Sequence, residues 1–432
     1  MTRSSQKGHL FLEGPTTVTL RHHLKFAALA CAVATLPFIA EAQQTAPAAV
    51  PAQQPVLAAP EPAPLPPPPW DPRDAQELLA FIEGVGREGL DPGDYDPAGL
   101  SAALRSGNTA LLNNAASDRF TKLASDLALG HVRGKDRVDW HIKDPDLGAG
   151  RLDQLLRFAV GQHQVARALQ NLLPVHPQYT MLKKALEVTP PSEVSKLNRI
   201  RLNLDRWRWL PRDLGDRYII VNVPAYTAAL VENGNTLSRH YAVAGAIKTP
   251  TPQLSVTATG VILNPWWEIP KSIEPEVRGK RGYVALKGKD GRVQRWRQPP
   301  GPSNALGQVK FVMPNPKAIF LHDTNARSKF NSRVRAFSHG CIRTKDIMEL
   351  STILLTQGDT EWTREKIQAA VASGKSVQAN FAKPLPVYII YMSSAATVDG
   401  RIVDYADVYR RDGKAVAALL DTTATATKTA SR

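Results

Sequence analysis

The chain has 432 residues, a formal charge of +15 and two cysteines. A basic surplus of that size favours polyanionic partners, but no Cys/His finger, aromatic RNP pattern or basic helix is present, which speaks against nucleic acid. Two cysteines exclude a disulfide-rich scaffold, and at roughly 200 residues per domain the length suits two domains plus a linker.

Residues 1–42 read as a secretory signal. Arg21, His22, His23 and Lys25 precede the apolar run "LKFAALACAVATLPFIAEAQ", and Ala40-Glu41-Ala42 is a small-x-small cleavage site. An uncleaved anchor is the competing reading. It is weakened by an apolar stretch of only about 15 residues, where a spanning helix needs ~20. A lipoprotein signal fits less well, because Ala28 stands where a larger aliphatic residue is usual before Ala30-Cys31. No other segment could cross a membrane. Cleavage removes four basic and two acidic residues, which leaves +13 of the +15, and it removes Cys31. An exported, basic protein meets cell-wall stems, anionic lipid heads or acidic polysaccharide.

Residues 43–72, "QQTAPAAVPAQQPVLAAPEPAPLPPPPWDP", are rich in Pro, Ala and Gln and predict an extended, semi-rigid spacer. From 73 to 190 apolar residues recur at helical spacing in "DAQELLAFIEGVGREGL", "SDRFTKLASDLALGHV", "RLDQLLRFAVGQHQVARALQNLLP" and "YTMLKKALEV". Asp74 and Ser117 are the expected N-caps, Pro174 and Pro190-Pro191 the stops. His131, His163 and His176 are scattered singly and read as surface or packing residues. This stretch predicts an all-helical domain without evident chemistry.

After about 216 the period becomes two. "RYIIVNVPAYTAALVENGNTLSRHYAVAGA" reads as two strand-like runs joined through Asn233-Gly234, a hairpin signal. Further strands are expected in "SVTATGVILNP", "LGQVKFVM", "KAIFLHDT" and "PVYIIYMSS", and helices in "TKDIMELSTILLTQ" and "TREKIQAAVASGK". Helices come first and a mixed β domain second. The Thr/Ala-rich end, 413–432, reads as disordered.

Export leaves Cys341 as the only thiol, so it has no intramolecular disulfide partner. A buried core cysteine is the simple explanation, and the neighbours have to decide. A thiol nucleophile acts as thiolate and needs a cation or base beside it. His339 lies two residues before Cys341, but Gly340 makes a turn there, whereas His322 ends the strand-like "KAIFLHD" and can reach a neighbouring turn in space. His322 is therefore the preferred base. Gly340 permits close backbone approach, the helix expected after Thr344 offers free N–H groups, and Ser338 adds a hydroxyl, all suited to an oxyanion hole. Arg343 could bind a carboxylate or hold the turn. One Cys and two His at these spacings match a zinc site poorly, so no metal is expected.

"HDTNARSKFNSRVRAFSHGCIR" resembles the active-site signature of the L,D-transpeptidases, in which a histidine precedes S-[HS]-G-C-x-[RN]. "NLDRWRWLPRDLGDRYIIVNVPAY", "GAIKTPTP", "NPWWEIPKSI", "RQPPGPSNALGQVKFVMPN" and "KPLPVYIIYMSSAATVDGRIVDYADVYRRD" resemble the larger periplasmic Gram-negative branch. The similarity runs in order over about 196–412, and more faintly through "GREGLDPGDYD".

The resemblance implies an α+β multidomain protein: a helical scaffold domain (73–190), then a mostly β catalytic domain (191–412) with a lid near 271–305. It implies a periplasmic acyltransferase without cofactor, with peptidoglycan stem peptides and other cell-wall synthases as partners. Cys341 would attack the diaminopimelate carbonyl of a tetrapeptide stem, release D-alanine and pass the acyl group to the diaminopimelate amine of a second stem. His322 would be general base and acid. Backbone N–H groups of His339, Gly340 and Cys341 would hold the oxyanion, with the His339 side chain in a packing or tuning role.

Trp267, Asn264, Arg343 and Asp323 are candidate substrate contacts; Trp267 is equally plausible as a core aromatic, and Asp323 as a partly exposed turn cap. The segment 278–300 carries eight Lys and Arg against one Asp, a basic flap suited to gathering stem carboxylates or simply a solvated hairpin. The branch usually has a peptidoglycan-binding module before "NLxRWRWLP"; here only "VTPPSEVSKLNRIRL" intervenes. An L,D-carboxypeptidase or endopeptidase on the same scaffold, and a non-catalytic wall-binding protein, are the competing functions.

Overall fold

Helix signals and strand signals segregate in the structure as they do in the sequence. A computed structural model describes residues 66–143, 148–397, 399 and 401–421. The expected leader (1–42), most of the spacer and the end of the tail lie outside those residues. All the described residues belong to one unit, Leu65–Arg432.

The helical part comprises α1 (Pro72–Glu83), α2 (Pro97–Arg105), α3 (Thr109–Leu129), α4 (Ala149–Gly161), α5 (Val165–Gln170), α6 (Pro177–Val188) and α7 (Val194–Arg208). α1 starts earlier than expected. Asp71 accepts from the Arg73 N–H at 2.7 Å, with Pro72 at the first helical position, and the expected spacer residue Trp70 is buried against Phe120. Asp74 is no cap: it is buried and meets His163 Nδ1 at 2.8 Å. Ser117 lies inside α3, where its hydroxyl accepts from Trp70 Nε1 at 2.9 Å. Leu78, Ile82, Leu100, Phe120, Leu123 and Leu127 fill this core.

The segment 194–208, which joins the end of the expected connection (188–202) to the start of "NLDRWRWLP", forms one helix on which the two parts meet. Ile200, Leu204 and Trp207 of α7 pack with Tyr179 and Leu182 of α6 against Tyr218, Tyr388 and Ile390 of the sheet. Its polar residues are buried too. Asp205 accepts from the backbone N–H groups of His131 and Val132 and from Trp209 Nε1, and Arg208 donates to Tyr179 Oη at 2.8 Å and to the Glu88 carbonyl. Buried polar groups persist because they are paired. From Leu202 to Arg208 α7 is buried on every side, polar residues included, so no amphipathic stripe marks that half of the helix.

The β part has β1 (Trp140–His141), β2 (Arg217–Asn222), β3 (Thr227–Glu232), β4 (Asn235–Gly245), β5 (Gln253–Leu263), β6 (Trp267–Glu268), α8 (Glu274–Val277), β7 (Val284–Lys287), β8 (Val293–Gln298), β9 (Val309–Val312), β10 (Leu321–His322), β11 (Ala336–Ser338), β12 (Ile342–Thr344), α9 (Ile347–Leu355), α10 (Arg364–Ala372), β13 (Val377–Ile390), β14 (Ser394–Ala396) and β15 (Ile402–Asp404). The first strand-like run divides at Val223–Tyr226 into β2 and β3, and the β3–β4 hairpin turns through Asn233 and Gly234, both at positive φ.

The main sheet runs β1-β5-β13-β2-β3-β4-β12-β10-β9, and β9 pairs back onto β5, so it closes on itself like a barrel. Closure removes free edges and makes inside and outside alternate along each strand. Val261, Leu263, Val309, Phe311, Leu321 and Ile342 point into the core, where Leu350 and Leu354 of α9 join them.

A separate sheet, β6-β8-β7, carries its own small apolar cluster of Ile269, Ile273 and Val277 with Trp267, Tyr283 and Trp296. Residues 412–420, expected at the head of a disordered tail, instead form α11 (Asp412–Leu420), whose Ala415 and Leu419 pack with Leu202 and Trp209. Ala415 and Leu419, four residues apart in "KAVAALL", carry the helical signal that the Thr/Ala composition masks.

Candidate active site

β10 is two residues long and pairs in parallel with β12, Leu321 opposite Ile342 and His322 opposite Arg343; on its other side His322 lies opposite Lys310 of β9. Paired residues share a face, and residues two apart along a strand share it as well. Leu321 and Ile342 point inward, so Lys310, Phe320, His322, Arg343 and Cys341 stand together on the outer face. Ring contacts agree: Lys310 Nζ lies 4.2 Å from the Phe320 ring centre, and the Phe320 and His322 ring centres are 5.5 Å apart. The base candidate thus ends β10, and the nucleophile candidate sits in the turn immediately before its ladder partner β12.

His322 is buried, and its Nδ1 lies 2.5 Å from the Asp323 carbonyl oxygen. A carbonyl only accepts, so Nδ1 carries the proton and Nε2 keeps the lone pair a base needs. Burial, with help from Arg343 and Lys310, lowers the imidazole pKa to about 3. Burial likewise pushes the Cys341 thiol up to about 11, against the opposing pull of a Phe320 backbone hydrogen bond, Lys310 and Arg343. The thiol donates weakly to the Ala318 carbonyl at 3.6 Å. Both shifts favour a neutral thiol beside a neutral imidazole at rest, so the sulfur becomes anionic only as its proton passes to a base. Two cations beside the sulfur stabilise negative charge once the proton leaves.

The turn from β11 to β12 presents the sulfur. Gly340 has φ 116°, a conformation L side chains rarely adopt, and a Cβ there would stand 3.1 Å from Ile319 Cδ1. Ser338 is buried; its hydroxyl donates to the Cys341 carbonyl at 2.6 Å and accepts the Gly340 N–H at 3.1 Å. This corrects two expectations. Ser338 braces the turn, and Gly340 contributes no free N–H to an oxyanion hole. Nor does a helix N-terminus, because β12 separates Cys341 from α9.

Of the other expected contacts, Arg343 alone faces the sulfur. It is half-buried, its Nε has no hydrogen-bond partner, and it is coupled electrostatically to the Cys341 sulfur. Asn264 is buried with φ 47°, and its amide donates to the carbonyls of Ala370, Val371 and Lys375 at 3.0–3.1 Å, so it closes the end of α10 instead of meeting a ligand.

Asp323 is buried, not partly exposed. It accepts the Gln308 N–H at 3.0 Å and pairs with Arg327 at 3.2 Å, and a Cβ on Gly307 would fall 2.3 Å from its Oδ2. Trp267 packs on Tyr283 within the small sheet, whereas Trp266 lies under Arg297, 4.0 Å from guanidinium to ring centre. His339 reaches outward, its Nε2 2.9 Å from Glu276 Oε1 of α8, and ties the nucleophile turn to the small sheet's segment.

Lys310 escapes sequence reasoning, although its place between inward Val309 and Phe311 in "LGQVKFVM" puts it on the outward face by strand period alone.

Comparison with known proteins gives matches in both parts of the chain. Residues 216–375 match the family model of the L,D-transpeptidase catalytic domain, YkuD, and residues 68–186 match the Scaffold domain model. A Haemophilus influenzae protein named "Putative L,D-transpeptidase" is 28% identical over 282 residues, covering 59% of this chain and 56% of that protein. The chain thus spans a little over half the length of that relative.

Among solved structures, an L,D-transpeptidase from Mycobacterium smegmatis is 14% identical, with a TM-score of 0.22, covering 40% of this chain and 58% of its own. L,D-transpeptidase 3 from Mycobacterium tuberculosis is 13% identical, with a TM-score of 0.22, covering 40% and 61%.

Proposed function

The chain carries a YkuD-family L,D-transpeptidase catalytic domain behind a Scaffold domain, and from that premise we propose that it is a cysteine-dependent peptidoglycan L,D-transpeptidase of the periplasm. What supports the reading is that Cys341 leads directly into β12, the strand paired with β10 that ends in His322, with the imidazole Nδ1 engaged by the Asp323 carbonyl. As the sulfur attacks the third-position carbonyl of a tetrapeptide stem, its proton passes to His322 Nε2. The new oxyanion is held by the His339 and Cys341 N–H groups, and Lys310 and Arg343 offset the negative charge.

Collapse breaks the amide, the imidazolium gives its proton to the departing D-alanine amine, and a thioester remains. The side-chain amine of a second stem then forms the new amide, its proton going to His322, and the thiol is restored. A thioester in a dry cleft survives until an amine arrives and reacts readily with it. Arg343, half-buried and coupled to the sulfur, is the group for a stem carboxylate.

Incubation of the mature protein with disaccharide-tetrapeptide tests the reading. Cross-linked dimers with released D-alanine are expected; tripeptide alone would mark a hydrolase. A carbapenem should give a covalent adduct at Cys341 by intact mass, and its absence would favour a binding protein.

A further inference from the structure

The peptide unit between Gly340 and Cys341 carries, on one rigid trans plane, the Gly340 carbonyl at one side and the Cys341 N–H at the other. Whatever fixes that carbonyl aims that N–H. The Thr251 hydroxyl, on the loop between β4 and β5, donates to the Gly340 carbonyl at 2.7 Å. The same hydroxyl accepts the Gly245 N–H at 2.9 Å, so its own proton has one direction to take. A Cβ on Gly245 would fall 2.1 Å from the Thr249 carbonyl, which explains how the loop approaches so closely.

Thr251 is fully buried and is clamped from both sides. Tyr409 Oη donates to the Gly245 carbonyl at 2.6 Å and accepts the Thr251 N–H at 3.3 Å. Arg411 donates to the Thr251 carbonyl at 3.1 Å and to Asp139 Oδ2 at 2.5 Å. Asp139 belongs to the turn leading into β1, and its own carbonyl accepts the Gln253 N–H at 3.0 Å. Residues past the matched 216–375 and a loop within the helical part, between α3 and α4, therefore converge on the peptide plane of the nucleophile.

We propose that Thr251 is a positioning residue that aims and polarises the Cys341 N–H as an oxyanion donor, with Tyr409 and Arg411 holding it in place. A hydrogen bond accepted at the carbonyl strengthens the N–H on the same amide. The ligand of that N–H is the tetrahedral oxyanion of acyl transfer, so the inference deepens the proposed function and rests on it.

The test separates acylation from alkylation, because displacement at an alkyl carbon creates no oxyanion. Full-length protein is reacted with p-nitrophenyl acetate or iodoacetamide, and modification at Cys341 is followed by peptide mass. Thr251→Val should slow acylation roughly tenfold to hundredfold, short of losing a donor outright, and leave alkylation within about twofold. Thr251→Ser, which keeps the hydroxyl, should restore acylation.

Unchanged acylation in Thr251→Val, or acylation and alkylation falling together, overturns the proposal. Should Thr251→Val fail to fold, Tyr409→Phe carries the same test, with an expected loss of about threefold to tenfold in acylation alone; equal rates overturn it. Since neither probe is a cell-wall fragment, a wild-type protein inactive on stems would refute the proposed function without touching this result.

Discussion

The Nδ1 of His322 and the carbonyl oxygen of Asp323 stand 2.5 Å apart, which fixes the imidazole tautomer from the residue next door. Catalysis then starts from a neutral pair, with the thiol up at about 11 and the imidazole down at about 3. Alkylation of Cys341 by iodoacetamide should climb about tenfold per pH unit from neutrality toward 11, following the thiolate fraction. Turnover behaves differently on the acid side. His322 accepts a proton only while neutral, so activity should persist below the ordinary histidine range and be lost only as pH falls through about 3. An alkylation rate already flat at pH 7 would mean a preformed thiolate–imidazolium pair and would overturn this account.

Cys341→Ser and His322→Ala should each abolish turnover while circular dichroism remains native. The second change leaves the buried Asp323 carbonyl without its donor, at a cost of about 1–3 kcal/mol of stability. His339 is the contrast. Its ring makes a surface hydrogen bond to the exposed Glu276, a contact worth at most about 1 kcal/mol, so His339→Ala should retain turnover within a few-fold. An active His322→Ala beside a dead His339→Ala would show that the base was misassigned.

What could be read from the sequence follows from how each feature is encoded. Cys341 and His322 are legible because thiol chemistry needs a base, and strand-ending His322 stands where a neighbouring strand can meet it. Helices α1, α3, α4, α5 and α6 fall in the segments whose apolar spacing reads as helical, because each buries one stripe, whereas the short α2 does not. α7 is hidden because Asp205, Arg206 and Arg208 are buried on the same helix as Leu204 and Trp207. Thr251, Tyr409 and Arg411 are hidden for another reason: their contacts join residues 89 to 272 positions apart, and no local pattern encodes such a pairing. Asn264 and Asp323 were placed at the ligand because polar residues near a site look like contacts; only the fold reveals that backbone groups already occupy them.

That distinction is measurable at Asn264. Its amide closes three carbonyls at the end of α10 and the loop behind it, so Asn264→Ala leaves buried acceptors unpaired. A stability loss of about 1–3 kcal/mol by denaturant titration is expected, with KM for the tetrapeptide stem unchanged in the folded protein. A raised KM at unchanged stability would return Asn264 to the list of ligand contacts.

The basic flap gives the last prediction. Arg295 lies 3.5 Å from Glu268, and Arg297 lies over Trp266, so both hold the small sheet as well as charging it; Arg292 is exposed on β7–β8's turn side. If the flap gathers stem carboxylates, its effect is a local potential, which acts on encounter and is screened by salt. Arg292→Glu alone should therefore raise KM for the stem about threefold, and reversal at Arg292, Arg295 and Arg297 together about tenfold. In both, kcat should be little changed and the difference should shrink as salt rises from low to physiological strength. Reading Arg292→Glu first separates charge from packing, because that side chain supports neither Glu268 nor Trp266. Should stem affinity stay where it was in the single and the triple variant alike, the flap is a solvated hairpin, and Arg343 is left as the group for the stem carboxylate.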